Sequence, residues 1–111
     1  MLPDFFPEYS PDGKFLHSWG ERGGGDGEFG NPKAIDIDKY GFIYIADAAN
    51  KRIQKFDADG KFITKWGEAG SGIGNFDYPS GIAVDKDGLV YVTDTTNQRI
   101  QVFRIARQDT E

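Results

Sequence analysis

With 111 residues, and 13 Lys and Arg against 18 Asp and Glu, the chain carries a formal charge of −5 and has room for a single domain. Hydrophobic residues at 38% and aromatics at 14% are too many for a disordered polyelectrolyte, and no apolar run is long enough for a membrane-spanning helix. The acidic balance argues against a generally basic nucleic-acid binder, and the absence of cysteine removes any disulfide framework or thiolate metal site. The opening Met1-Leu-Pro-Asp-Phe-Phe-Pro has no basic region leading into an apolar stretch. No signal peptide is therefore expected, and the cytoplasm is the default location.

Residues 1–12 read as an N-terminal extension. From Gly13 the chain repeats itself at an offset of 47 residues without a gap, with 22 of 47 positions identical between 13–59 and 60–106. Residues 107–111 remain as a tail. Within the first repeat, strands are expected at Phe15–Trp19, Ala34–Asp38, Phe42–Asp47 and Arg52–Phe56. Their counterparts in the second are Phe62–Trp66, Gly81–Asp85, Leu89–Asp94 and Arg99–Phe103. These runs are rich in Ile, Val, Phe, Tyr and Thr, which suit a pleated, packed surface. Asp12-Gly13, Asp59-Gly60 and Asp87-Gly88 supply turns, and no window sustains a helical apolar period without a Gly or Pro break. The third strand of each repeat is apolar at consecutive positions (Phe42-Ile-Tyr-Ile45 and Leu89-Val-Tyr-Val92), so both of its faces need cover. A two-faced, four-stranded antiparallel unit at this spacing suggests a propeller blade; a two-sheet sandwich is the competing all-β fold.

Pro79-Ser-Gly-Ile-Ala-Val-Asp85, Gly88-Leu-Val-Tyr-Val-Thr-Asp94 and Asn97-Gln-Arg-Ile-Gln-Val-Phe103 resemble the signature of NHL-repeat proteins. The first copy departs from it with Lys33-Ala34 for Ser80-Gly81, Asp36 for Ala83 and Lys55 for Val102. The resemblance covers roughly residues 13–104 and implies a six-bladed propeller whose strands run a, b, c, d outward from a central channel. Mapped here, the chain order becomes d-a-b-c-d-a-b-c. The eight strands then make two blades, and the C-terminal a-b-c sheet lacks its outer strand. Exposed blade faces exceed what soluble monomers tolerate, and head-to-tail contacts generate a ring when the rotation closes. The expectation is a homotrimeric six-bladed ring, each joint latched by Phe15, His17 and Trp19 of a neighbouring copy.

Asp47, Asn50 and Arg52 recur as Asp94, Asn97 and Arg99 at the b–c corner. Repetition in each blade favours a structural clamp over a binding element. The long connections Gly20–Asn31 and Gly67–Tyr78 share one rim of the channel, where partners dock. The rim candidates are Arg22, Glu28, Asn31, Lys33, Asn75, Asp77, Tyr78 and Ser80. Gly23-Gly24-Gly25-Asp26-Gly27 lacks the helix and Lys-Ser/Thr pair of a phosphate cradle. Asp36, on a channel-lining strand, is the weak candidate for a cation site and otherwise a solvated carboxylate. His17 is the single histidine, with no nucleophile elbow near it, and the carboxylate pairs sit in turns, so catalysis is unsupported.

The leading reading is a non-catalytic scaffold without cofactor that presents rim loops to a protein or peptide partner. The runner-up is single-stranded RNA binding through Arg22, Lys33, Lys51, Arg52, Gln98 and Arg99. A metal-assisted hydrolase or lyase using channel carboxylates is the third.

Overall fold

A computed structural model describes residues 13–105; the expected extension 1–12 and tail 107–111 lie outside the described residues. Nine strands follow in chain order: β1 (Glu21–Arg22), β2 (Glu28–Phe29), β3 (Pro32–Ile37), β4 (Ile43–Asp47), β5 (Arg52–Phe56), β6 (Phe62–Trp66), β7 (Pro79–Val84), β8 (Leu89–Asp94) and β9 (Arg99–Arg104). Strands β3-β4-β5-β6 form one antiparallel sheet in sequential order, and β7-β8-β9 form a second of three strands. The protein is all-β, with no helix among the described residues.

Two expectations need correction. The strand at Phe15–Trp19 is not formed: residues 13–19 run without sheet pairing, and Phe15 and Leu16 stand exposed. Among the described residues no strand pairs with this segment, and a lone segment has no ladder to complete its N–H and C=O groups. Within the connection after Trp19, β1 and β2 pair in parallel, Glu21 opposite Glu28 and Arg22 opposite Phe29. The first strand of each sheet also starts earlier than expected, at Pro32 and Pro79. Both prolines lie beyond a register shift from the regular ladder, where the missing N–H costs no bond.

Local chemistry closes the hairpins. Asp38 Oδ1 accepts the amides of Tyr40 and Phe42, Asp57 Oδ1 those of Asp59 and Lys61, and Asp85 Oδ1 those of Asp87 and Leu89. Glycine completes each turn; Gly60 at φ 89° also faces the Trp19 ring, 2.8 Å from where a Cβ would sit.

Strand β4 is buried throughout, and its alternation sends side chains to two clusters. Tyr44 and Ala46 join Ile53, Phe76, Val90 and Val92 between the sheets, with Trp66, Ile82, Val84 and Phe103 around them. On the other face Ile43, Ile45 and Phe56 are covered by Trp19, Phe29 and Phe62. Trp19 lies 4.8 Å from Phe56 and Trp66 lies 5.6 Å from Phe103, so the two tryptophans occupy corresponding places on successive sheets. The second sheet is covered on one face only: Val90 and Val92 are buried while Tyr91, Thr93, Ile100 and Val102 are exposed.

Candidate functional site

The Gly20–Asn31 connection of the first repeat is held in one shape by side chains of β4 and β5 and of the turn between them. Asp47, fully buried, accepts the amides of Gly30 at 3.0 Å and Asn31 at 2.8 Å, and the Asn50 side-chain amide at 2.8 Å. Asn50 Nδ2 also donates to the Gly23 carbonyl. Arg52 donates to the carbonyls of Gly24, Gly25 and Glu28 at 2.7–2.9 Å. Its Nε stands 4.0 Å from Asp47 and finds no hydrogen-bond partner. Gln54, also fully buried, donates to the Glu28 carbonyl and accepts the Gly27 amide.

The second repeat repeats the device. Asp94 accepts the amides of Asp77 and Tyr78 and the Asn97 side chain, and pairs with Arg99 Nε at 3.2 Å. Arg99 reaches the carbonyls of Ser71, Gly72 and Asn75, and Gln101 those of Asn75 with the Gly74 amide in return. Charge-assisted bonds of this kind are the stronger class, and they make both loops fixed platforms. The glutamines belong to the clamp as well, and Arg52-Ile-Gln54 over Arg99-Ile-Gln101 is the sequence signal for them.

The rim candidates divide between two roles. Asp77 takes Lys51 at 3.6 Å, with the Lys51 ammonium also on the Asp77 carbonyl, and Lys33 lies over the Tyr78 ring at 6.0 Å. These four residues meet across the joint between sheets. Glu28 instead turns inward to the Gly25 amide, Asn75 contributes its carbonyl to the clamp, and Ser80 meets Thr93 and Thr95. Arg22 and Asn31 are exposed. Ile73, at the tip of the second loop, is 99% exposed. Of the basic residues considered for RNA, Arg52 and Arg99 are committed to loop carbonyls and Lys51 to Asp77. Asp36 is not a free channel carboxylate: Oδ2 accepts the Val84 amide at 2.7 Å and Oδ1 that of Ile37. No cluster of three or more metal-ligating side chains occurs among the described residues. His17 and Phe15 are exposed, and Trp19 is half-buried against Phe56.

Burial disfavours the charged form of Asp47, but the amides of Asn31, Gly30 and Asn50 outweigh it and hold the carboxyl below its ordinary value. Asp94 behaves likewise, burial being overcome by Asn97, the Asp77 and Tyr78 amides and Arg99. Burial and then the Asp38 carboxylate push the Tyr44 phenol upward, so it stays protonated and donates to Asp38 at 2.9 Å. Carboxyls with lowered folded values stabilise the fold fully above the ordinary value of 3.8 and lose that contribution as pH falls through the folded values. The expected thermal midpoint is therefore level from about pH 5 upward and falls steeply below about pH 4. A midpoint unchanged into strong acid, read by circular dichroism, contradicts the clamp.

The description "NHL repeat" matches residues 76–103. Thirty-nine residues are 46% identical to the E3 ubiquitin-protein ligase TRIM71 of Mus musculus, a stretch covering 35% of this chain and 5% of that protein. Forty-eight residues are 42% identical to NHL repeat-containing protein 3 of Homo sapiens, covering 43% and 14%. The chain thus spans a small part of the curated relatives it matches. Among solved structures, selenomethionine-substituted virginiamycin B lyase from Staphylococcus aureus aligns with TM-score 0.46 at 19% identity, over 72% of this chain and 29% of that one. Residues 76–103, running from the buried Phe76 through β7 and β8 into β9, thus resemble an NHL repeat, and they sit in an all-β chain of antiparallel sheets.

Proposed function

We propose that the chain is a non-catalytic interaction scaffold. Its two sheets act as propeller blades, identical copies complete one another into a six-bladed ring of three, and the rim loops meet a protein or peptide partner. One observation carries the reading: the two outward faces are counterparts of the two faces already joined inside the chain. Ile35 and Ile37, 59% and 55% exposed on β3, correspond to Ile82 and Val84, which pack into the cluster between the sheets. Tyr91, Ile100 and Val102, 37%, 64% and 50% exposed on the far side, correspond to Tyr44, Ile53 and Lys55. A second copy set on either face therefore repeats a contact whose complementarity the molecule already contains. Patches of this kind are rarely left open on soluble proteins, and a head-to-tail repeat closes when its rotation divides a circle.

Strand pairing points the same way. β5 carries β6 on its outer edge, whereas β9, its counterpart, has no neighbour there. Phe15–Trp19 is the counterpart of Phe62–Trp66 and is unpaired, so it suits the open edge as a latch. Applying the β5–β6 register sets Trp19 opposite Ile100, Ser18 opposite Gln101, His17 opposite Val102 and Phe15 opposite Phe103. The fixed loops then recur around one rim with Arg22, Asn31 and Ile73 outward, a preorganised surface that saves a partner the cost of ordering it.

Light scattering tests the assembly: the expected mass is about 37 kDa, three times the 12.3 kDa of the chain. Ile100→Glu sets a charge in the apolar face without touching the internal core. It is expected to weaken association by about tenfold or more while leaving the circular dichroism of the protomer intact. A wild-type chain that remains at 12.3 kDa at high concentration removes the ring.

A further inference from the structure

Several of the charged positions at which the two repeats differ make contacts at or beside the meeting of the sheets. Inside the chain, Lys51 is tied to Asp77, Asp36 accepts the Val84 amide, Lys33 lies over Tyr78, and Lys65 on β6 pairs with Asp26 at 2.6 Å. Moving each pair by one repeat gives the groups that would meet between copies. Lys51 and Asp77 become Gln98 and Gly30; Asp36 and Val84 become Ala83 and Ile37. Lys33 and Tyr78 become Ser80 and Asn31, and Lys65 and Asp26 become Ser18 and Ile73. Lys55, whose ammonium lies 4.6 Å from the Phe42 ring on the inner joint, gives way to the exposed Val102. Every charge in these five contacts is lost. Thr93 for Ala46 is a polar change in the opposite direction, and it is uncharged.

We infer that the ring contains two chemically different joints: a polar, charge-clamped one inside each chain, and an uncharged one between copies closed by apolar packing and strand pairing. This rests on the proposed assembly. Coulombic attraction between exposed groups fades within about 10 Å at 0.1 M salt, whereas apolar burial is indifferent to salt or favoured by it. The joint between copies is then insensitive to ionic strength, although the chain is rich in charge. The open loop tip Ile73 and the unpaired Ser18 become neighbours across that joint, in the way Asp26 and Lys65 are neighbours within the first sheet.

Sedimentation velocity of the wild-type chain at about 0.05 M and 1 M NaCl reads this directly: the apparent dissociation constant is expected to weaken by no more than about threefold, or to tighten. A larger weakening overturns the uncharged joint while leaving the assembly standing. Ser18→Lys with Ile73→Asp, both at exposed positions, transplants the inner ion pair to the joint between copies. Association is expected to tighten about two- to fivefold at low salt and to return to the wild-type value at 1 M. Absence of any new salt dependence shows that these residues do not meet and overturns the correspondence. A wild-type chain that never associates removes the assembly reading and this inference together.

Discussion

Asp47→Ala is expected to destabilise the folded chain by about 3 kcal/mol, since it strands several buried donors at once. The carboxylate takes two backbone amides and one side-chain amide, and it is the nearest anion to the buried Arg52 guanidinium. Removing it leaves the Gly30 and Asn31 amides without their acceptor and Arg52 without a counter-charge in a place water reaches poorly. Asp47→Asn keeps the shape and one acceptor oxygen, so it should cost roughly half as much. Asp94→Ala should cost less than Asp47→Ala, because its partner Arg99 is more open to solvent than Arg52, 28% against 8%. Urea denaturation of the three variants measures the order. A loss under about 1 kcal/mol for Asp47→Ala would mean that the loop does not depend on the clamp.

Phe76→Ala is expected to cost about 3–5 kcal/mol, the range for deleting a fully buried phenylalanine. Phe76 has no exposed surface, packs at a tilt with its centroid 5.8 Å from that of Phe103, and sits against Gly67, where a Cβ would lie 2.6 Å from its ring. Neighbours so close on both sides cannot collapse into the void. Its counterpart Phe29 rests on Trp19 and Phe56 but is only half-buried, because nothing else among the described residues covers that face. Phe29→Ala should therefore cost clearly less in dilute protein and approach the Phe76→Ala value where copies associate. Equal costs at every concentration would contradict the difference in cover.

Much of the fold is readable in the residues. Arg52–Phe56, Phe62–Trp66 and Leu89–Asp94 begin and end where their β-branched and aromatic runs meet turn chemistry, and the consecutive apolar residues of β4 do mean cover on both faces. The segment Phe15–Trp19 has the composition of a strand, but composition cannot supply a partner edge, and in the single chain it pairs with no strand. The loops were harder still. Arg52 and Gln54 hold carbonyls 24–28 residues away, and a backbone carbonyl has no identity in a sequence. Asp36 is the same problem at a separation of 48 residues: its partner is an amide on another sheet, so it reads as a lone carboxylate on an innermost strand.

β6 hydrogen-bonds into the first sheet although its sequence opens the second repeat. The hereditary unit and the mechanical unit are consequently out of step by one strand, with Trp66 of one sheet wedged on Phe103 of the next. Neither half can melt without exposing the other's interior, so the pair forms one cooperative element rather than two beads on a string. Gene duplication at this phase adds each new sheet already stitched to its predecessor.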